Sequence, residues 1–269
     1  MRKVLKYDIK DVEPYINWLY FYFAWGLSPK QTEERRKLHE EALTMLDYLN
    51  GKYNTYAVFG LYNANSDGDD LLLGTTRIPL LRQQLKENKD EPYLCLSDFV
   101  RPLTSGVGDR AGAFATTVDQ SLEKDFADDD FQWMLVQTLA DRLAEATGEK
   151  MHEAVRKTYW GYAPDEELTM DELWKEHFQG IRPAVGYPSL PDQSINFILS
   201  DLLGIKDIGI HLTENGAMKP HASVSGLMFS HPQSHYFPIG KIGEDQLADY
   251  ARRRGVPIEI IRKFLAGNL

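Results

Sequence analysis

Arg182 and Tyr187 stand five residues apart in a segment that also holds two prolines and a glycine, R-P-A-V-G-Y-P over residues 182–188. Pro183 and Pro188 fix φ, remove two backbone donors and favour extended geometry in the residue before each of them. We therefore expect a stiff, mostly extended segment. A guanidinium displayed on such a segment suits bidentate binding of a carboxylate. The alternative from the motif alone is a proline-rich connector whose arginine makes a surface ion pair.

Two other pairs of chemically active side chains are each spaced four residues apart. Asp141 and Glu145 carry like charges at a spacing that destabilises a helix by roughly 0.2–0.5 kcal/mol. Either an external cation meets this face, or neighbouring basic side chains neutralise it. His231 and His235 flank Pro232 without a matching set of cysteines or carboxylates, so we expect no metal site there.

Composition excludes several classes of function. The chain has 269 residues and a formal net charge of −10, which is unfavourable for binding nucleic acid. Its one cysteine, Cys95, is expected to be a buried inert thiol, and a single cysteine favours a reducing compartment. The N-terminus lacks a secretory signal, and the apolar run at residues 15–27 is too short to span a membrane. We predict a cytoplasmic protein that binds neither nucleic acid nor membrane.

The predicted elements mix strands and helices without βαβ regularity. We predict one α+β domain over residues 1–269, with a mainly antiparallel sheet, flanking helices and a helical N-terminal part at about 1–50. Residues 63–70 are predicted as a turn. The predicted helices are 11–26, 29–50, 78–87, 128–146, 150–159, 170–178 (capped by Thr169), 192–203 (stopped at Gly204), 244–254 and 257–265. The predicted strands are 55–62, one from 71, 93–100, 111–118, 208–212, 223–229 and 236–239.

A series of motifs in one order resembles the activation domain of cobalamin-dependent methionine synthase. Besides R-x-x-x-G-Y-P, it includes L-C-L-S-D-F-V at 94–100, A-D-R-L-A-E-A at 140–146, Y-W-G-Y-A-P at 159–164 and A-S-V-S-G at 222–226. The resemblance extends over roughly residues 12–269. No G-x-G-x-x-G follows a predicted strand, and neither a D-x-H-x-x-G motif nor a cysteine cluster is present. The sequence therefore resembles only the activation module, and we expect a stand-alone chain.

The resemblance implies a binding site for S-adenosylmethionine. It places Arg182 at the ligand's carboxylate and Asp98 near its amino group, while a strand-end residue that caps a turn remains the alternative for Asp98. Glu176 is interpreted as a residue that orients Arg182. The family commonly has Tyr-Tyr where this chain has Tyr236 and Phe237. Any contact through a hydroxyl at position 237 is therefore lost. The implied ligand-binding residues are Asp98, Arg182, Ala184, Gly186, Tyr187, Tyr236 and Phe237.

The resemblance also implies a partner, because Asp141 and Glu145 match the acidic pair that receives the histidine leaving cobalt when a cobalamin module docks. The expected function is reductive methylation of cobalamin on a separate methionine synthase or related corrinoid protein, with flavodoxin or a similar electron donor. Alone, the chain is expected to turn nothing over. Two alternatives stay open: an S-adenosylmethionine-dependent methyltransferase with another acceptor, and a non-catalytic scaffold for a corrinoid protein.

Overall fold

The computed structural model describes residues 1–85, 92–122 and 124–269. The strands are β1 (Arg2–Asp8), β2 (Asn54–Asp67), β3 (Asp70–Leu73), β4 (Thr76–Pro79), β5 (Asp109–Val118), β6 (His211–Leu212), β7 (Met218–Lys219) and β8 (Ser223–Met228). The α-helices are α1 (Ile9–Val12), α2 (Trp18–Ala24), α3 (Thr32–Leu49), α4 (Asp130–Ala154), α5 (Met170–Trp174), α6 (Ile195–Leu203), α7 (Glu244–Arg254) and α8 (Ile258–Phe264). A π-helical turn at Val155–Tyr159 extends α4.

The main sheet is antiparallel, with the strand order β4-β3-β2-β5-β8. Strand β2 is long enough to pair with β1 near its start and with β3 near its end, both along the edge opposite β5. Strands β6 and β7 form a separate two-stranded sheet. Helices cover the main sheet, so the predicted α+β class with a mainly antiparallel, helix-flanked sheet is confirmed.

Alternation along the central strands divides the core between the two faces of the sheet. Phe59 and Phe114 point toward α4, where they are buried with Met151. Val58 and Ala115 belong to the opposite face, which is buried with residues of α6, α7 and α8. Because both faces are covered, β5 and β8 are rigid supports for whatever lies along their edges.

The N-terminal prediction needs two corrections. Strand β1 was not predicted, so the N-terminal part begins with a strand that pairs with β2. The predicted helix at 11–26 is interrupted, because Glu13–Tyr15 forms a 3₁₀ turn around Pro14 and Asn17 caps a new helix. The Asn17 side chain accepts a hydrogen bond from Leu19 N at 3.2 Å.

The turn predicted at 63–70 is also wrong up to Asp67, because the polar residues there pair with β3.

Residues 78–100 differ most from their prediction. Ile78 and Pro79 end β4, and residues 80–85 are not helical, so the predicted helix 78–87 is wrong there; its residues 86–87 lie outside the described part. The predicted strand 93–100 is a 3₁₀ turn at Leu96–Phe99, because the Asp98 carboxylate caps Cys95 N at 2.8 Å. Both errors arise where apolar residues are buried without regular structure.

Later elements match the prediction more closely. Helix α7 has the predicted bounds, the Thr169 side chain caps α5, and α6 stops at Gly204 with a φ of 63°. The two predicted helices at 128–146 and 150–159 are one continuous helical element. The strand predicted at 208–212 is reduced to His211–Leu212 after a 3₁₀ turn. Residues 236–239 are not a strand, and Pro238 lacks the amide donor that a ladder needs.

Candidate functional site

The segment that carries Arg182 runs antiparallel along the edge of β8. Ile181 N donates to Phe229 O at 2.9 Å, and Leu227 N donates to Pro183 O at 3.0 Å. Val185 N then donates to Ser225 O at 2.9 Å. The extended geometry expected from the two prolines is confirmed for residues 181–184, whereas residues 185–186 and 188–189 form turns. The ladder fixes the backbone on which the arginine is displayed.

Gly226 of β8 makes this close approach possible. A Cβ at that position would lie 2.2 Å from the Pro183 carbonyl oxygen and 2.9 Å from the Cα of Ala184. Gly186 then turns the chain with a φ of 88°, and its N–H donates to Leu190 O at 2.8 Å. Tyr187 stands at the tip of this turn with 54% of its surface exposed.

A cleft of about 780 Å³ opens between this segment, α4 and the residues before and within α2. Five of the predicted ligand residues line it, and so does Glu145 from the predicted partner-contact pair. The predicted residues that line the cleft are Arg182, Ala184, Tyr187, Tyr236, Phe237 and Glu145. The structure therefore brings together residues from three separate parts of the sequence.

Arg182 is the most constrained cation of the cleft. Its side chain is 14% exposed, and its Nη2 donates to Glu149 Oε1. Gly148 lies beside it, and a Cβ there would meet Arg182 Nη1 at 3.5 Å, an ordinary van der Waals contact. Nε of Arg182 and Oε2 of Glu149 are both buried and have no hydrogen-bond partner among the described residues. Burial lowers the pKa of Arg182, but Glu149, Tyr236 and Glu145 together outweigh it and hold that pKa above its ordinary value.

The two aromatic residues after His235 play different structural parts. The Tyr236 hydroxyl accepts a hydrogen bond from Arg182 N at 3.0 Å, and burial raises the pKa of Tyr236. Phe237 is 5% exposed, and its ring centroid lies 6.2 Å from that of Phe99. Its N–H donates to Ser189 Oγ at 3.0 Å. Phe237 thus contributes a buried ring and a fixed backbone at the rim of the cleft.

Asp98 does not line this cleft. Its Oδ1 and Oδ2 each accept a hydrogen bond from Arg82 at 2.7 Å, and Oδ2 also caps Cys95 N. The adjacent Phe99 connects this turn to the site through its ring contact with Phe237. The turn-capping interpretation of Asp98 therefore describes its geometry in this structure.

The predicted acidic pair is divided between the cleft and its surroundings. Glu145 accepts from Arg142 at 2.7 Å and faces the Tyr187 hydroxyl at 3.4 Å. Burial raises the pKa of Glu145; Asp141 adds to this effect, whereas Arg142 opposes it. Asp141 lies outside the lining and faces Nδ1 of His221 at 3.5 Å. Gly186 also lies outside the lining and acts through the turn it forms.

Two further carboxylates line the cleft. Glu149 was not identified from the sequence as a site residue. Its spacing of four residues from Glu145, on the same face of a predicted helical stretch, could have indicated it. Glu176, predicted to orient Arg182, has a positive φ of 58°, the left-handed conformation that residues other than glycine rarely adopt. Burial and Glu149 raise the pKa of Glu176, and Arg182 opposes them.

The cleft thus places three carboxylates, Glu145, Glu149 and Glu176, together with two arginines, Arg142 and Arg182. This arrangement suits a ligand that carries both a carboxylate and cationic groups. In the ranges that the structure describes, no cluster of histidine, cysteine or acidic side chains has the arrangement of a metal site. Within the same ranges, no helix is both long and apolar enough to cross a membrane.

Comparison with known proteins agrees with these features. Residues 8–255 match the family described as vitamin B12 dependent methionine synthase, activation domain. A crystal structure of the MetH reactivation domain bound to AdoHcy is 40% identical, with a TM-score of 0.94; the match covers 100% of this chain and 90% of that one. The chain therefore belongs to the activation-domain family of vitamin B12-dependent methionine synthase.

Proposed function

We propose that this chain binds S-adenosylmethionine in the cleft beside Arg182 and supports reductive methylation of cobalamin held by a partner region. Family membership supports the role. The similar reactivation domain is bound to AdoHcy, which is the demethylated product of S-adenosylmethionine. The cleft provides groups of the right charge for such a ligand.

The position of the Arg182 guanidinium at the cleft is the observation that supports the proposal most strongly. Its backbone is fixed by the ladder to β8, its guanidinium is charged, and its Nε has no partner among the described residues. A ligand carboxylate in the cleft would pair with this guanidinium, and bidentate pairing with a planar guanidinium is strong and directional. Ala184 and Gly186 provide backbone around this position, and Tyr187 and Tyr236 provide aromatic surface.

The cationic groups of the ligand need anions. Glu145, Glu149 and Glu176 line the cleft and offset the positive charge of a sulfonium. Asp98 remains our proposed partner for the ligand's ammonium group. Since Arg82 already holds both of its oxygens, Asp98 would have to share them on binding.

The chain's contribution to the chemistry is positioning. In the proposed reaction, oxidised cob(II)alamin held by the partner region would accept one electron from flavodoxin or a similar donor and the methyl group of the sulfonium, which would leave methylcobalamin and S-adenosylhomocysteine. Arg182 would fix the methionyl tail so that the methyl group points out of the cleft, and a docked partner would exclude water. Asp141 and Glu145 would stabilise the histidine displaced from cobalt.

Calorimetric titration with S-adenosylmethionine tests the proposal. We expect the parent chain to bind and Arg182→Ala to weaken binding about tenfold or more, equivalent to about 1.4 kcal/mol. Arg252→Ala is the matched control, because Arg252 is an exposed arginine of α7 outside the cleft. A parent chain that fails to bind would refute the proposed site.

Two further assays separate the alternatives. Methyl transfer to another acceptor without any cobalamin protein would indicate an independent methyltransferase. Retention of a cobalamin module by a chain that does not bind S-adenosylmethionine would indicate a scaffold. The proposed function requires that the chain alone transfers no methyl group.

A further inference from the structure

Helix α2 and the start of α4 expose large apolar side chains next to each other. Leu19, Tyr20 and Phe23 of α2 are 44%, 55% and 50% exposed, and Phe131 and Met134 of α4 are 47% and 41% exposed. Single exposed apolar residues are ordinary, but a group on adjoining helices marks an interaction surface. We call these five residues the α2/α4 shelf.

The two helices run side by side in opposite directions. At one end, the ring of Trp25, directly after α2, lies 5.6 Å from the ring of Phe131 at the start of α4. At the other end, Tyr20 lines the cleft together with Arg142 and Glu145. The outward side chains of both helices therefore belong to one surface, which reaches the mouth of the cleft.

The solvent face of α4 continues the shelf into the site. Phe131, Met134, Thr138, Asp141 and Glu145 follow one another at intervals of three and four residues, so they lie along one face of the helix. That face is apolar at its start, uncharged in the middle and acidic at the cleft. A partner lying along α4 would cover the apolar end and the cleft at the same time.

The charges around the shelf indicate which kind of partner fits. Asp128, Asp129 and Asp130 are exposed at the start of α4, and Asp141 and Glu145 lie at the cleft end. A second copy of this chain paired across a two-fold axis would bring carboxylates against carboxylates in either direction, which is unfavourable. The surface instead fits a protein face with an apolar centre flanked by lysine or arginine.

We propose that the α2/α4 shelf is the docking surface for the cobalamin-binding module, an inference that rests on the proposed function. A module that delivers cobalt to a methyl group in the cleft must lie over the cleft mouth, and Tyr20 belongs to both the mouth and the shelf. Apolar contact on the shelf supplies affinity, and the acidic ends orient the module.

The test uses the full chain and a cobalamin-loaded binding module of a methionine synthase. The variants are Phe23→Ser, Phe131→Ser and the double substitution, none of which changes a residue that lines the cleft. Ile260→Ser is the matched control, because Ile260 is a 42%-exposed apolar residue of α8. We expect the double variant to bind the module about tenfold more weakly, with affinity for S-adenosylmethionine within about twofold of the parent. The control should match the parent in both titrations.

The outcomes are distinguishable. If the parent chain does not bind S-adenosylmethionine, the proposed function fails. If it binds the ligand but does not bind the module, or if the double variant binds the module as tightly as the parent, the docking surface is refuted. A parent chain that self-associates in sedimentation, with monomeric shelf variants, would assign the shelf to a second copy and overturn the proposal.

Discussion

Arg82 and Arg182 are both largely buried arginines next to carboxylates, but they are used in different ways. Arg82 donates to Asp69, to Asp98 and to the Tyr93 carbonyl, so every nitrogen of its guanidinium is engaged. Arg182 donates to Glu149 and keeps a buried Nε that has no partner in the described ranges. A saturated arginine holds the fold together, whereas one with a donor left over at a cleft can bind a ligand.

The carboxylates around the two arginines differ in the same way. Asp69 and Asp98 both accept hydrogen bonds from Arg82, and Asp98 also caps a backbone N–H. Glu149 keeps one buried oxygen without a partner, beside a cleft that two other glutamates line. Nε of Arg142, the other arginine of the cleft, is also buried without a partner in the described ranges.

The largest expected effect is at Arg182. Arg182→Lys keeps the positive charge but loses the planar fork, so we expect affinity for S-adenosylmethionine to fall about tenfold, or about 1.4 kcal/mol. The unfolding free energy should change little, because the ammonium can still pair with Glu149. Calorimetry and urea denaturation measure the two quantities. Unchanged affinity would remove the distinction between the two arginines.

The same substitution at Arg82 should give the opposite result. Lysine cannot bridge Asp69 and Asp98 with parallel hydrogen bonds, so Arg82→Lys should lower the unfolding free energy by about 1 kcal/mol. Affinity for the ligand should stay within about threefold of the parent. The same two assays apply, and a larger loss of affinity than of stability would place Arg82 in the site.

The smallest effect concerns pH. Burial raises the pKa of Glu145, so folding disfavours its ionised form. This cost is absent below the pKa of an unfolded glutamate, about 4.3, and is fully present above the raised pKa of the folded state. Stability contributed by this residue therefore falls as pH rises through that window.

Glu145→Gln should accordingly be more stable than the parent at pH 7 and equal to it near pH 4. The difference should stay below about 1 kcal/mol, because a third of the side chain remains in solvent. Urea denaturation at the two pH values measures it, with the exposed Glu34→Gln as the control. A variant less stable than the parent at pH 7, with a difference that disappears near pH 4, would show that the Arg142 pair dominates instead.

The part of the site closest to the R-x-x-x-G-Y-P segment was predictable from sequence, because prolines and glycines act locally. The extended backbone at residues 181–184 follows from Pro183, whereas the turn at Gly186 was not predicted. The described residues 80–85 and 92–95 were not predictable, because the buried Leu80, Leu81 and Cys95 lie outside helices and named strands and are held by long-range contacts. The pairing of Asp98 with Arg82 is one such contact, and it is invisible in the residue order. Glu149 could have been predicted, since it continues the four-residue spacing of Asp141 and Glu145.

The most direct test compares S-adenosylmethionine with its decarboxylated analogue, using the parent chain and Arg182→Ala. If the unused donors of Arg182 bind the ligand's carboxylate, the parent should prefer S-adenosylmethionine about tenfold or more, and Arg182→Ala should lose that preference. Equal binding of the two ligands by the parent, or a preference that survives in the variant, would contradict the account.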